Sequence, residues 1–213
     1  MSIIVATSQI EKIEIRPYQS SDLESLYKIC LLTGDSGKDA SKKYKDPKLL
    51  GNFYAAPYAV LEPELTFIAT LDGKPSGYIL GTKNSADFRK RTEEKWFPKL
   101  REKYPLPTEE DDSADANIIR LIHKGYVFKE GHIDYPAHLH INLLPITQGK
   151  GIGKKIMLTF INKLKELNVE ALHLEVGKKN EGAIGFYKKM GFHEIVDYEY
   201  SIGFGIDLTK NLG

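Results

Sequence analysis

Leu143-Leu144-Pro145-Ile146-Thr147-Gln148-Gly149-Lys150-Gly151-Ile152-Gly153 runs straight into a segment whose apolar residues recur every three to four positions. Ile152, Ile156, Met157, Phe160, Ile161 and Leu164 fall on one stripe, with Lys154, Lys155, Lys163 and Lys165 outside it. That is the pattern of a half-buried helix. Glycines at 149, 151 and 153 strip side chains from its start. Backbone N–H groups are left bare at the positive end of the helix dipole, which suits a diphosphate. Lys150 and Lys154 add charge beside them. The glycine spacing is not the G-x-G-x-x-G of a dinucleotide fold, and Gly153-Lys154 is followed by Lys155, not the Ser or Thr of a Walker loop. A loop whose glycines merely turn the chain is the competing reading.

Working outward, residues 138–144 read as the strand that feeds this loop, and Ala171 to Val176 as the strand after the helix. Glu181 to Met190 predicts a short helix capped by Asn180, and 193–208 a closing pair of strands. Towards the N-terminus, Ile13 to Arg16 alternates and meets Pro17, a first strand. Ser20 to Asp22 can cap a helix carrying Leu23, Leu26, Tyr27 and Cys30, which the Thr33-Gly34-Asp35-Ser36-Gly37 stretch ends. A second helical segment is expected between Ala40 and Tyr54. Leu65 to Leu71, Asp72-Gly73 and the run from Tyr78 to Leu80 predict a tight hairpin, because Asp-Gly supplies the positive φ angles such a turn demands. Residues 84–136 break the rhythm. They predict a charged helix from Phe88 to Tyr104 interrupted at Pro98, a solvated acidic run from Glu109 to Asp112, and a helix from Ala114 to Lys124. Their apolar content looks thin, so they read as an insertion, a lid or wall within a single domain spanning 1–213. The fold class is α/β (α+β): a mixed central sheet flanked by helices, with a helical insertion between the central hairpin and the strand that feeds the glycine loop.

The chain has 213 residues, 30 Lys+Arg against 29 Asp+Glu and a formal net charge of +1. A balance that even gives no general attraction to nucleic acid or to acidic membranes. No apolar run approaches the roughly 20 residues a bilayer requires. Ile3 to Ala6 is too short for a signal core and lacks a basic start. Cys30 is the one cysteine, so no internal disulfide forms, and a reducing, cytoplasmic setting is expected. Without a Cys-His signature around it, Cys30 reads as a buried apolar residue.

Gln148-x-x-Gly151-x-Gly153 resembles the Gln/Arg-x-x-Gly-x-Gly/Ala motif of the GNAT superfamily of N-acetyltransferases. Leu172-x-Leu174-Glu175-Val176, Asn180, Ala183, Phe186-Tyr187 and Gly191-Phe192 resemble the family's second half. Tyr135-Pro136-Ala137-His138-Leu139-His140, the Thr33-Gly34-Asp35 turn and the mid-chain insertion are similar to the acetyltransferase-like domains found with O-GlcNAc hydrolases, some of which are thought to have lost catalysis. The resemblance implies acetyl-CoA as cofactor and an amine-bearing acceptor, small molecule or protein; a homodimer is compatible with it. It implies that the amides of Gln148, Gly149, Lys150, Gly151, Ile152, Gly153 and Lys154 hold the pyrophosphate. Ile141 and Leu143 would pair their main chain with the pantetheine arm, Asn180 would contact the coenzyme, and Tyr187 would reach its sulfur as general acid.

The general base is where the chain departs from the family. Many members carry Glu where Ala137 stands. His138, His140, Asp134 and Glu175 are nearby candidates, and alternation places His138, His140 and Asn142 on one face of the strand. A histidine titrating near 6.5 is suited to taking a proton, directly or through water; packing within the sheet is the alternative. Two histidines two residues apart, without a third convergent ligand, do not make a metal site. A catalytically inactive acyl-CoA-binding or protein-interaction module is the competing functional reading, favoured by Ala137, whereas Tyr187 and the intact glycine loop favour an enzyme.

Overall fold

The computed structural model describes residues 11–127 and 130–210. Seven strands, β1 (Ile13–Pro17), β2 (Thr66–Leu71), β3 (Lys74–Thr82), β4 (Ala137–Leu143), β5 (Ala171–Gly177), β6 (His193–Asp197) and β7 (Ser201–Asp207), form one sheet. Their order is β1-β2-β3-β4-β5-β7-β6, antiparallel throughout except between β4 and β5. The β2–β3 hairpin turns on Asp72 (φ 50°) and Gly73 (φ 76°), the two left-handed positions the sequence calls for.

Side chains alternate across this sheet into two cores. On one face, Phe67, Ala69, Ile79, Ala137 and Leu139 pack with helix α7 (Ile152–Glu166) and with Tyr187 of helix α8 (Glu181–Lys189). The glycine at 81 lets α7 approach, since a Cβ there would lie 2.7 Å from Phe160 Cζ. On the other face, Ile68, Tyr78 and Leu80 meet helices α1 (Leu23–Thr33), α2 (Leu49–Tyr54) and α3 (Ala56–Leu61). The helical segment expected from Ala40 onwards begins only at Leu49, beyond Pro47, which disfavours helix at the residue before it.

The insertion supplies α4 (Ser85–Lys95), α5 (Phe97–Lys103) and α6 (Ala114–Lys124). Asn84 and Ser113 cap α4 and α6, and Gly125 (φ 71°) ends α6. The expectation of thin apolar content is corrected. Phe88, Phe97 and Ile122 are fully buried and join Leu26, Phe53 and Tyr58 in the second core. The segment is therefore packed against α1–α3 as a wall, while Glu109 to Asp112 is exposed. No helix among the described residues is long and apolar enough to cross a membrane.

Candidate active site

β4 and β5 pair only at Ala137↔Leu172 and His138↔His173. Beyond His138 the two parallel strands part, and a gap opens towards their C-terminal ends. Leu144 N–H donates to Ser76 O on the β3 side at 2.9 Å. By strict alternation the amides of Ile141 and Leu143 turn the other way, into the gap. The sequence-predicted pantetheine contacts thus sit on an edge of β4 that β5 leaves uncovered.

The loop after β4 lies at the open end of that gap. Gly149 and Gly151 both have φ of 73°, and a Cβ on either would meet nothing within 4 Å. Gly151 caps α7 with no side-chain bond to the first amides, so those N–H groups are open to a ligand. Ile152 buries its side chain and offers only its backbone. Gln148 Nε2 donates to Leu143 O at 3.0 Å, tying the loop to the strand end. Lys154 is exposed, whereas Lys150 is ion-paired with Glu11 and its charge is partly spent. Gly153 packs on the Phe186 ring, 3.2 Å from where its Cβ would be.

Across the gap, Asn180 caps α8 by accepting from Ala183 N–H at 3.2 Å. Gly182 and Gly185 face open space. Tyr187 is buried. Its ring lies in the first core near Phe192 and Phe204, with centroids 5.9 and 6.2 Å away, and burial pushes its phenol well above the usual range.

On the opposite face of β4 a cleft of about 1070 Å³ is bounded by Tyr54, Tyr58, Phe88, His138, His140 and Glu175, with Ser85, Arg89 and Tyr126 from the insertion side. Tyr58 Oη lies 2.8 Å from His138 Nε2 and 3.2 Å from His140 Nε2. Ser85 Oγ lies 2.7 Å from His138 Nδ1. His173 reaches Tyr135 O through Nδ1 at 2.7 Å and stacks on His132 at 4.1 Å between centroids. Glu175 accepts from Ser201 Oγ at 2.6 Å.

The expectation of a histidine titrating near 6.5 is corrected here. Burial, with His173 and His140 nearby, holds His138 well below that value, and burial lowers His140 to about 4. His173 also falls to about 4, through burial and its neighbour His132. All three are neutral imidazoles at physiological pH. Asp134 is exposed and does not line the cleft, so the structure does not bring it to the histidines. Cys30 is buried, with its thiol pushed up to about 12, a poor nucleophile. Among the described residues no three metal-binding side chains are grouped to hold an ion. Tyr58 and Ser85 were invisible in the sequence. His173 was signalled by its two-residue spacing from Glu175, which alternation places on one face.

A model of the acetyltransferase (GNAT) family matches residues 35–192. Protein O-GlcNAcase of Rattus norvegicus is 27% identical over 188 residues, covering 87% of this chain but 20% of that protein. The chain therefore spans about a fifth of the length of that curated relative. Among solved structures, SsHAT is 37% identical with a TM-score of 0.87, covering 93% of this chain and 99% of that one. The PaiA N-acetyltransferase of Thermoplasma acidophilum, solved with coenzyme A, shares the fold at 17% identity and a TM-score of 0.53, covering 92% and 99%.

Proposed function

The chain belongs to the GNAT family of acetyltransferases, and from that membership we propose that it moves an acetyl group from acetyl-CoA to a primary amine by direct attack. The observation that carries this reading is the parting of β4 and β5 beyond the His138↔His173 pair. It leaves a strand edge for an extended acyl chain between an open glycine loop and a deep cleft.

The residues present fit the coenzyme. The unblocked amides from Gly149 to Gly153 would take its diphosphate. The inward N–H groups of Ile141 and Leu143 would hold the pantetheine arm and polarise the carbonyl. Bound there, the coenzyme supplies a thioester, an activated acyl donor. The acceptor side is the aromatic and histidine-lined cleft. Glu175 is a carboxylate in it suited to attracting an ammonium, and His140 is a neutral imidazole with a lone pair to take a proton, though burial makes it a weak base. Val127 and Ile133, both exposed at the cleft, suit an acceptor with an apolar body.

One observation favours a second reading, an acyl-CoA-binding module without turnover: burial makes both strand histidines weak bases. Titrating coenzyme A calorimetrically, then following thiol release with a panel of primary amines, separates the two. Binding with release and an acetylated product supports the enzyme. Binding with no release from any amine supports the module, and no binding overturns both.

A further inference from the structure

The geometry points to a proton relay, His140–Tyr58–His138–Ser85, that carries a proton from the acceptor amine to water, with Tyr58, His138 and Ser85 as positioning residues. It rests on the amine-acetylating reading above.

The direction of the relay follows from hydrogen-bond accounting. Ser85 Oγ lies 2.7 Å from Pro136 O. Two oxygens that close repel unless a hydrogen lies between them, and only the serine hydroxyl carries one. Ser85 therefore donates to Pro136 O and must accept from His138 Nδ1–H at 2.7 Å. A neutral imidazole has one N–H. His138 Nε2 is then bare and accepts the Tyr58 hydroxyl hydrogen at 2.8 Å. The phenol oxygen in turn accepts His140 Nε2–H at 3.2 Å. The nearby Tyr126 hydroxyl donates to Phe53 O and supplies no competing hydrogen; its oxygen also lies near Tyr58, but a Tyr58 hydroxyl turned to it would leave His138 Nε2 bare. Every donor in the chain is matched, and the open valence that remains is the lone pair on His140 Nδ1.

Direct transfer to a primary ammonium releases two protons. One ends on the leaving coenzyme thiol and the other must reach solvent. His140 Nδ1 takes the second from the amine while Nε2–H passes to Tyr58. Tyr58 gives its own hydrogen to His138 Nε2, and His138 gives Nδ1–H to Ser85 as the half-buried serine hydroxyl turns from Pro136 O to water at the cleft mouth and releases its own hydrogen there. Each residue gains one hydrogen and loses one, so no imidazolium has to persist in a site that disfavours charge. The histidines return to their resting tautomers by exchange with water once the cleft empties. A relay of this kind answers the weakness of the buried histidines as bases, because neither has to keep the proton.

The test joins nitrogen NMR with kinetics. At neutral pH, ¹⁵N spectra of the parent protein are expected to show His138 as the Nδ1–H tautomer and His140 as the Nε2–H tautomer. Tyr58→Phe keeps the ring stacked on Phe88, 4.3 Å between centroids, and removes both links. Turnover with a good amine should fall roughly 100-fold, with coenzyme affinity and acceptor KM unchanged. The proton inventory in mixed light and heavy water, curved for the parent, should become linear. If Tyr58→Phe does not fold, Ser85→Ala at the half-buried exit should slow turnover and straighten the inventory in the same way. The opposite tautomers, or an active parent whose Tyr58→Phe and Ser85→Ala variants keep full turnover, would overturn the relay alone. A parent protein that acetylates no amine would overturn the functional reading and the relay with it.

Discussion

His138 of β4 stands beside His173 of β5 at the last paired position of two parallel strands, with ring centroids 5.5 Å apart. The apex of the gap is thus walled by imidazoles, where a charged pair would have to bear mutual repulsion. His132, stacked on His173, extends the wall, and Glu175 and Tyr54 lie close by. The protein keeps this junction neutral by burying it.

That neutrality sets a pH limit on stability. His140 and His173 titrate near 4 when folded, and an unfolded histidine near 6.5. Between those values the unfolded chain binds more protons, so stability is intact above about 6.5 and drains away as pH falls towards 4. Thermal melts should show Tm dropping by about 5 °C or more from pH 7 to pH 4.5. Asp207, held near 2 by Thr209 and Lys210, acts only in more acid solution. The drop should be shallower in a His140→Gln/His173→Gln double variant; an equal slope would place its origin elsewhere.

The glycine loop makes a second prediction. Gly151→Glu places a carboxylate among the open amides at the start of α7, where nothing blocks the side chain. The left-handed backbone costs such a residue roughly 1–2 kcal/mol, tolerable in an exposed loop. Coenzyme A affinity should fall roughly tenfold or more, through repulsion of the diphosphate, while circular dichroism stays unchanged. Gly151→Asn, which accepts this conformation, should keep most of the affinity. Calorimetry on both variants decides the point.

The wall of the cleft rests on a buried ion pair. Glu62, 2% exposed, accepts from Thr82 Oγ1 at 2.9 Å and Lys83 N–H at 3.3 Å, and pairs with Arg91 of α4. Arg91 also donates to Leu61 O at 3.0 Å. Arg91→Met would strand the carboxylate and should cost about 2–4 kcal/mol in urea unfolding. Glu62→Gln, which retains its neutral hydrogen bonds, should cost less. Equal costs would mean that charge is not what holds α4 in place.

Much of this was legible in sequence because it depends on neighbours in sequence. The stripe on α7, the Asp72-Gly73 turn and the cap at Asn180 each lie within a few residues of what they control. The second core was not legible. Phe88 sits singly among charged residues, Phe97 and Ile122 lie in short apolar runs within a charged stretch, and what buries them, α1 to α3, lies far upstream. The cleft failed for the same reason. Tyr58 meets His138 and His140 across 80 and 82 residues, and no spacing rule reaches that far. Asp134 misled by the reverse logic: adjacency to the strand made it a candidate, yet its position before β4 leaves it exposed.

Tyr187 carries the last prediction. Burial raises its phenol, so it stays protonated at every working pH and can give no alkaline limb to the rate profile. The same burial makes it a weaker acid than a free phenol, but a thiolate left in a dry gap gains far more from a nearby donor than one in water. Tyr187→Phe keeps the ring that packs on Phe192 and Phe204, so folding should be preserved. The diphosphate loop belongs to a different element, and coenzyme affinity should barely move. Turnover should drop roughly 100-fold if the hydroxyl protonates the leaving sulfur, with the pH profile otherwise the same shape. Single-turnover rates for parent and variant, measured with a saturating amine, separate the roles: equal rates would make Tyr187 a packing residue only, its hydroxyl irrelevant to the chemistry.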